Sequence, residues 1–179
     1  MKALIFSDIH GSENAMLRVD ELIKKHNPDL IILLGDLLYH GPRNDLPLGY
    51  HPKGVIPLLN KYKDKIIAVR GNCEAEVDQM VLEFPCMSTY SEVFVDGLKL
   101  TLTHGHIYNE EKIVPGASIM LYGHTHIPVC YKKNDIIFFN PGSTSIPKGG
   151  NKASFGIYEN KTLSVLGLID EKQMLTLSI

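Results

Sequence analysis

The chain has no block of like charge. Its 18 Lys and Arg and 20 Asp and Glu are interspersed and leave a formal net charge of −2. A general nucleic-acid binder carries a basic stripe, so stable nucleic-acid binding is not expected. A small phosphorylated substrate stays compatible, because a bound metal can supply local positive charge. Long hydrophobic runs are also missing, which excludes a membrane-spanning helix. The opening KALIF is too short for a signal peptide, and Asp8 and His10 follow it at once. Cysteine is scarce: Cys73, Cys86 and Cys130 are odd in number and scattered, which argues against a disulfide framework. A cytoplasmic location is the simplest expectation. No repeat, linker or low-complexity segment divides the chain. With 44% hydrophobic and 21% charged residues over 179 positions, one domain, 1–179, with a substantial core is predicted.

What is present is an order of short apolar runs. KALIFS (2–7), LIILLGD (30–36) and KIIAVRGN (65–72) read as strands buried on both faces. Between the first two, Ser12 caps a predicted helix whose inner face is Ala15, Val19, Leu22, Ile23 and His26. Helices are also predicted around 54–63 and 74–83. Residues 37–53 are rich in Pro, Gly, Asn and His and read as a long loop of the functional kind. From residue 91 the pattern turns to β. Asp96-Gly97 marks a hairpin, SIMLYGHTH gives a further strand, and VCYKKNDIIFFN and ASFGIYENKTLSVLGLI give two more hairpins. A βαβαβ front and a mostly β back predict a two-sheet core with helices on its outer faces.

Five of the apolar runs end in the same chemistry: SDIHG (7–11), GD (35–36), GN (71–72), THGH (103–106) and GHTH (123–126). Ligands of open α/β sheets bind outside the carboxyl ends of the strands. Asp8, His10, Asp36, Asn72, His104, His124 and His126 are therefore expected to converge. If the chain is locally extended, residues i and i+2 point the same way, pairing Asp8 with His10 and His124 with His126. Mixed oxygen and imidazole donors suit Mn, Fe, Co, Ni or Zn. Seven donors suit two metals about 3.5–4 Å apart, bridged by a carboxylate. The neighbouring glycines would allow sharp turns and close approach. His106 is left between ligand, support and exposed loop residue. His26 and His51 read as ordinary satisfied histidines, and NPGSTSIP (140–147) as a tight turn supporting the metal loops rather than a phosphate nest.

The order D-x-H, GD, GN, H-x-H and GHTH resembles that of the calcineurin-like metallophosphoesterases over nearly the whole chain. GDLLYHGPRN, GNCE, GHTHIP and NPGSTSIPK look most like the YfcE-type bacterial phosphodiesterase branch. The resemblance implies a four-layer αββα sandwich of two mixed β-sheets flanked by helices, a homo-oligomer (dimer or tetramer), and two divalent ions, manganese above all. It implies that Asp8, His10, Asp36 and His126 hold one metal, and that Asp36, Asn72, His104 and His124 hold the other. Many members of the wider family carry histidine after GN, where it orients substrate or protonates the leaving group. Here Cys73 stands in that place, as in the YfcE-type branch, so substrates whose leaving group departs unaided are favoured.

The function expected on these grounds is a phosphodiesterase acting on a small soluble phosphodiester. A hydroxide between the metals attacks phosphorus in line, with no covalent enzyme intermediate. Asp36, Asn72, Cys73 and His40 are the expected catalytic residues, His40 as proton donor. His40, Arg43 and Asn44 are expected to face the substrate, Arg43 by its planar fork. The alternatives are a phosphomonoesterase or nucleotide hydrolase on the same fold, and a scaffold like the retromer subunit that shares it.

Overall fold

KALIF forms the first strand, β1 (Lys2–Phe6), and its alternation sets the layers. Leu4 and Phe6 face one side, among Met16, Val19 and Leu22 of α1 (Glu13–His26) and Val55 and Leu59 further on. Ala3 and Ile5 face the other side, where they meet a second sheet. Both faces of the strand are covered, so both must be apolar. The second strand, β2 (Leu30–Leu33), repeats the division, with Ile31 and Leu33 outward and Leu30 and Ile32 inward. These positions are described in a computed structural model that covers residues 1–179.

Helix α1 starts where the Ser12 hydroxyl accepts the Ala15 amide at 3.2 Å, a cap whose loss costs about 1 kcal/mol. It ends at Asn27, which adopts a left-handed φ of 42° and donates to the Ile23 carbonyl. Four of its five predicted inner residues are buried. His26 is half-buried and meets Glu171 instead. After β2 come α2 (Pro52–Asn60), β3 (Ile66–Ala68) and α3 (Glu76–Val81), each within a few residues of expectation.

The later chain gives β4 (Tyr90–Val95), β5 (Leu98–Thr103), β6 (Ile119–Leu121), β7 (Val129–Lys133), β8 (Ile136–Asn140), β9 (Ser154–Glu159), β10 (Thr162–Gly167) and β11 (Gln173–Ser178). All three predicted hairpins form. Their turns, Asp96-Gly97, Asn134-Asp135 and Asn160-Lys161, hold both central residues at positive φ, which matches the twist of the flanking strands. The strand order is β11-β10-β9-β1-β2-β3 in one sheet and β4-β5-β6-β8-β7 in the other. Strands β1, β2 and β3 run parallel, while β9 joins β1 antiparallel. In the second sheet β5, β6 and β8 run parallel, with β4 and β7 antiparallel at the edges.

The two mixed sheets are flanked unequally. Helices α1 and α2 cover the six-stranded sheet with a cluster of 20 buried residues. The outer face of the five-stranded sheet is covered by the irregular segment 105–118, whose Val114 and Ala117 pack on Met120, Tyr122 and Phe138. Pro115 and Gly116, the latter at φ 78°, interrupt any helix there. Glu110 pins the segment by accepting from the Tyr122 and Tyr131 hydroxyls. Strand β11 was not among the expected elements. It is an edge strand of mixed exposure, without a continuous apolar run.

Candidate metal centre

Strands β1, β2 and β3 of one sheet and β5 and β6 of the other end on a common rim, where the chain stays locally tied. The Asp8 amide donates to Gly35 O at 3.1 Å, the His10 amide to Asp36 O at 2.9 Å, and the Gly123 amide to His104 O at 2.8 Å. Asp8, His10, Asp36, His104 and His126 are buried there; His124 is half-buried and Asn72 exposed.

The expected extended backbone at D-x-H and H-x-H is not found. Asp8, His10, Asp36, His124 and His126 lie at φ 55°, 49°, 55°, 66° and 60°. The left-handed turns bring the side chains together, at a conformational cost that non-glycine residues meet mainly at functional sites. The neighbouring glycines serve close approach as expected. A Cβ on Gly71 would overlap the Asp36 carboxylate, and one on Gly123 would overlap the Ser7 hydroxyl.

Apart from His124, whose ring makes no hydrogen bond, each side chain has one polar atom tied and another left facing inward. Asp8 Oδ2 accepts from Ser7 Oγ at 2.6 Å and from the His124 amide at 3.1 Å. Asp8 Oδ1 is sealed from solvent and accepts no hydrogen bond. Asp36 Oδ1 accepts the Cys73 amide at 2.9 Å. Its Oδ2 stands 3.7 Å from His10 Nε2 and 3.4 Å from His104 Nε2. The Nδ1 atoms of His10, His104 and His126 meet the carbonyls of Tyr39, Leu34 and Ile146 at 2.8, 2.6 and 2.6 Å. Those bonds place a proton on Nδ1, so that in the neutral ring the Nε2 lone pair is the one directed inward. His126 Nε2 then lies 3.3 Å from both Asp8 Oδ1 and His10 Nε2. Asn72 Oδ1 lies 3.2 Å from His104 Nε2.

Facing lone pairs of this kind fit cation ligation. A buried carboxylate oxygen without a donor is costly unless a cation meets it. Asp8, His10 and His126 present donor atoms within 4.8 Å of one another, as do Asp8, Asp36 and His104. Asp8 belongs to both sets, and Asp36 Oδ2 stands 3.7 Å from His10 of the first and 3.4 Å from His104 of the second. Cys73 falls with His10 and Asp36 in a third such set, although its thiol is not among the ligands expected from sequence.

The electrostatics agree. Burial opposes ionisation of Asp8, but contacts with His10 and His126 outweigh it and hold the carboxyl far below its usual range. Burial likewise opposes a charged His104, yet Asp36 and Asp8 push it up to about 9. His10 is raised by Asp8 against the same opposition. The carboxylates thus draw positive charge inward. His124 is lowered by burial and by His104, and His106 is pushed down to about 4 for the same reasons. Burial and the Asp36 charge push the Cys73 thiol up, so it stays protonated.

Several supporting residues escaped the sequence reading. Buried Glu74 accepts the amides of Asp36 (2.9 Å), Leu37 (2.6 Å) and Gly71. Burial and Asp36 push its carboxyl up to about 7. The NPGSTSIP stretch holds the metal loops, as expected. Ser143 and Ser145 donate to Asp8 O at 2.8 and 3.0 Å, and Asn140 Nδ2 donates to Gly123 O at 2.8 Å.

Above these groups lies a cleft of about 330 Å³, lined by Asp36, Arg43, Asn44, Asn72, His124, Thr125, His126 and Lys148 with no apolar side chain. Arg43 and Asn44 therefore lie where the sequence expected them, and Lys148 is an addition. His40 does not. Its ring packs edge-on between Tyr39 and Tyr50, with centroids 4.6 and 5.1 Å away, outside the cleft lining. Its carbonyl accepts from Asn44 Nδ2 at 2.8 Å. His51 is exposed and bonded to Glu13, away from the cleft. His106 lies tilted beside His104, centroids 5.3 Å apart; neither it nor His124 belongs to any of the three donor sets.

Comparison with known proteins follows the same lines. The chain is 48% identical to phosphodiesterase YfcE of Escherichia coli K12 over 173 residues, 96% of this chain and 94% of that one. A solved structure of the Escherichia coli YfcE phosphoesterase superposes with a TM-score of 0.98 at 46% identity, covering 100% of both chains. Vacuolar protein sorting 29 of Cryptosporidium parvum shares the fold, with a TM-score of 0.68 at 18% identity over 99% of this chain. The family profile of the calcineurin-like phosphoesterase superfamily domain matches residues 1–163. With inward-facing oxygen and imidazole donors at five strand ends and a profile match over most of its length, the chain belongs to the calcineurin-like phosphoesterase superfamily.

Proposed function

We propose that this protein is a metal-dependent phosphodiesterase that hydrolyses a small soluble phosphodiester by in-line displacement at a dinuclear centre. The observation that carries the reading is the set of tied side chains, each with one free donor atom directed inward, beneath a wholly polar cleft. Asp8, His10, Asp36 and His126 would hold one ion. Asp36, Asn72, His104 and His124 would hold the other, with Asp36 Oδ2 facing both. When bound, two divalent ions, manganese by preference, supply Lewis acidity and an ionised water at neutral pH.

The chain's own residues do the rest. Arg43 and Lys148 form no ion pair within the protein, although both line the cleft. Arg43 would grip non-bridging phosphate oxygens by its planar fork, and Lys148 would add a point charge. Asn44, tied to the His40 carbonyl, keeps that loop in place. Cys73 keeps its proton and accepts from Asn72 Nδ2 at 3.2 Å, which orients the Asn72 carbonyl toward His104. With His40 outside the cleft, leaving groups that depart unaided should react fastest. The 48% identity to a phosphodiesterase supports the diester over the monoester.

The test is metal content together with hydrolysis of bis(4-nitrophenyl) phosphate and 4-nitrophenyl phosphate, with and without Mn²⁺, for wild type and His124→Ala. Two ions per chain, faster diester turnover and loss in the variant are expected. Faster monoester turnover would move the reading to a phosphomonoesterase. Bound metal with no hydrolysis of either ester would leave a scaffold.

A further inference from the structure

A second cavity, of about 200 Å³, opens beside the metal cleft and meets it at Asn72, which lines both. Its walls are Arg70, Gly71, Asn72, Thr89, His106 and Ile107, with Ile107 the one apolar side chain. Neither Arg70, Thr89 nor His106 hydrogen-bonds a side chain of the metal centre. Arg70 has five N–H donors, of which one reaches a protein acceptor, the Glu74 carbonyl at 3.2 Å. No carboxylate pairs with it. The Thr89 side chain makes no hydrogen bond and is exposed. His106 makes none either; its Nδ1 is sealed from solvent without a partner. A small polar cavity beside the reaction centre therefore gathers an unpaired guanidinium, a free hydroxyl and an unbonded imidazole, with no acidic side chain in its wall.

We infer that this cavity is a subsite for one arm of the substrate, and that the arm carries a second anionic group, a carboxylate or a phosphate, held by Arg70 with Thr89 and His106. The inference rests on the phosphodiesterase reading and narrows its substrate class. Arg43 and Lys148 serve the reacting phosphate on one side of Asn72, and Arg70 serves the distal anion on the other. A neutral arm would leave the guanidinium without a partner. An anionic arm gains a charge-assisted, bidentate contact, and that contact orients the diester across the metals.

Calorimetric titration of the Mn²⁺-loaded protein with 3-phosphonopropionate and with propylphosphonate tests this without turnover. The two probes share a phosphonate and differ at the far end in a carboxylate. Wild type should bind 3-phosphonopropionate about tenfold more tightly. In Arg70→Gln the ratio should fall to about twofold or less, and Arg70→Lys should restore part of it. Thr89→Glu places a carboxylate in the cavity at an exposed position and should reverse the preference without relying on any change at Arg70. Equal affinities in wild type, or a preference that survives both Arg70→Gln and Thr89→Glu, would overturn the subsite while leaving the metal centre intact. Failure of both phosphonates to bind would overturn the metal-centre reading and the subsite with it.

Discussion

The two sheets contribute unlike chemistry to one rim. The six-stranded sheet supplies every oxygen donor, Asp8, Asp36 and Asn72, and a single imidazole, His10. The five-stranded sheet supplies imidazoles alone, His104, His124 and His126. Their outer faces differ as well: one lies under two helices and a large apolar cluster, the other under an irregular segment and a cluster of 5 residues. Neither sheet has a complete candidate donor set, so the proposed centre would exist only while the inner faces are packed. Metal affinity should therefore report on the inter-sheet core, because a site assembled by folding returns its binding free energy to the fold.

The largest effect should come from Asp36→Asn, since its Oδ2 faces histidines from both sheets. Diester hydrolysis should fall by more than about 100-fold, the upper range for loss of a supporting partner, and metal content should drop at both positions. Retention of two ions would break the idea that Asp36 joins the sheets' contributions. Phe139→Ala comes next. Phe139 is fully buried between the sheets and lies against Gly156 across the interface. The substitution should cost about 3–5 kcal/mol and weaken Mn²⁺ binding. Val114→Ala, in the small outer cluster, should cost about 1–2 kcal/mol and leave metal affinity unchanged. Equal losses of affinity in these two variants, read by denaturant melts and metal titration, would erase the contrast between inner and outer faces.

Asn140→Ala sharpens the comparison at the end of an interior strand, β8. Its amide holds the Gly123 carbonyl and so the turn that carries His124 and His126. Metal affinity should fall about 10–100-fold with little change in the remainder of the fold. The smallest effect should be at the clasp between α1 and the β10–β11 turn, where Glu171 meets Lys25, His26 and Arg18. Lys25 and His26 hold its carboxyl down, from 4.5 to about 2. Because the folded value lies below the unfolded one, this stability is present above about pH 4.5 and is lost as pH falls toward 2. Glu171→Gln should lower Tm by an amount equivalent to ~1 kcal/mol or less at neutral pH, flatten the acid slope, and leave hydrolysis untouched. An unchanged acid slope would remove the clasp from the account.

Much of this was legible from local pattern. The parallel strands appear as apolar runs because both their faces are covered, and the donors appear as polar residues closing those runs. The hairpin turns are announced by Asp96-Gly97 and Asn134-Asp135. Edge strand β11 was not legible, because a half-exposed strand needs no continuous apolar run. Nor was the role of Glu74, nor the particular partners that Asn140, Ser143 and Ser145 take within a stretch already expected to support the metal loops. Their partners are backbone groups brought near by the fold: Ser143 reaches Asp8 across 135 positions of sequence. The surroundings of His40 were not legible for a related reason. Proximity in sequence to Asp36 put it near the chemistry, but its ring packs against Tyr39 and Tyr50 and is absent from the cleft lining.

By itself, the sequence determined the kind of atom at each strand end, and so the donor chemistry, since residue identity fixes donors, acceptors and charge. Only the tertiary structure decided which atom of each side chain remains free. It turned five candidate ligand residues into left-handed conformations, tied three imidazoles to carbonyls at Nδ1, and opened the Arg70 cavity beside Asn72. Those outcomes depend on backbone groups far apart in the chain, and packing the two sheets is what brings them together.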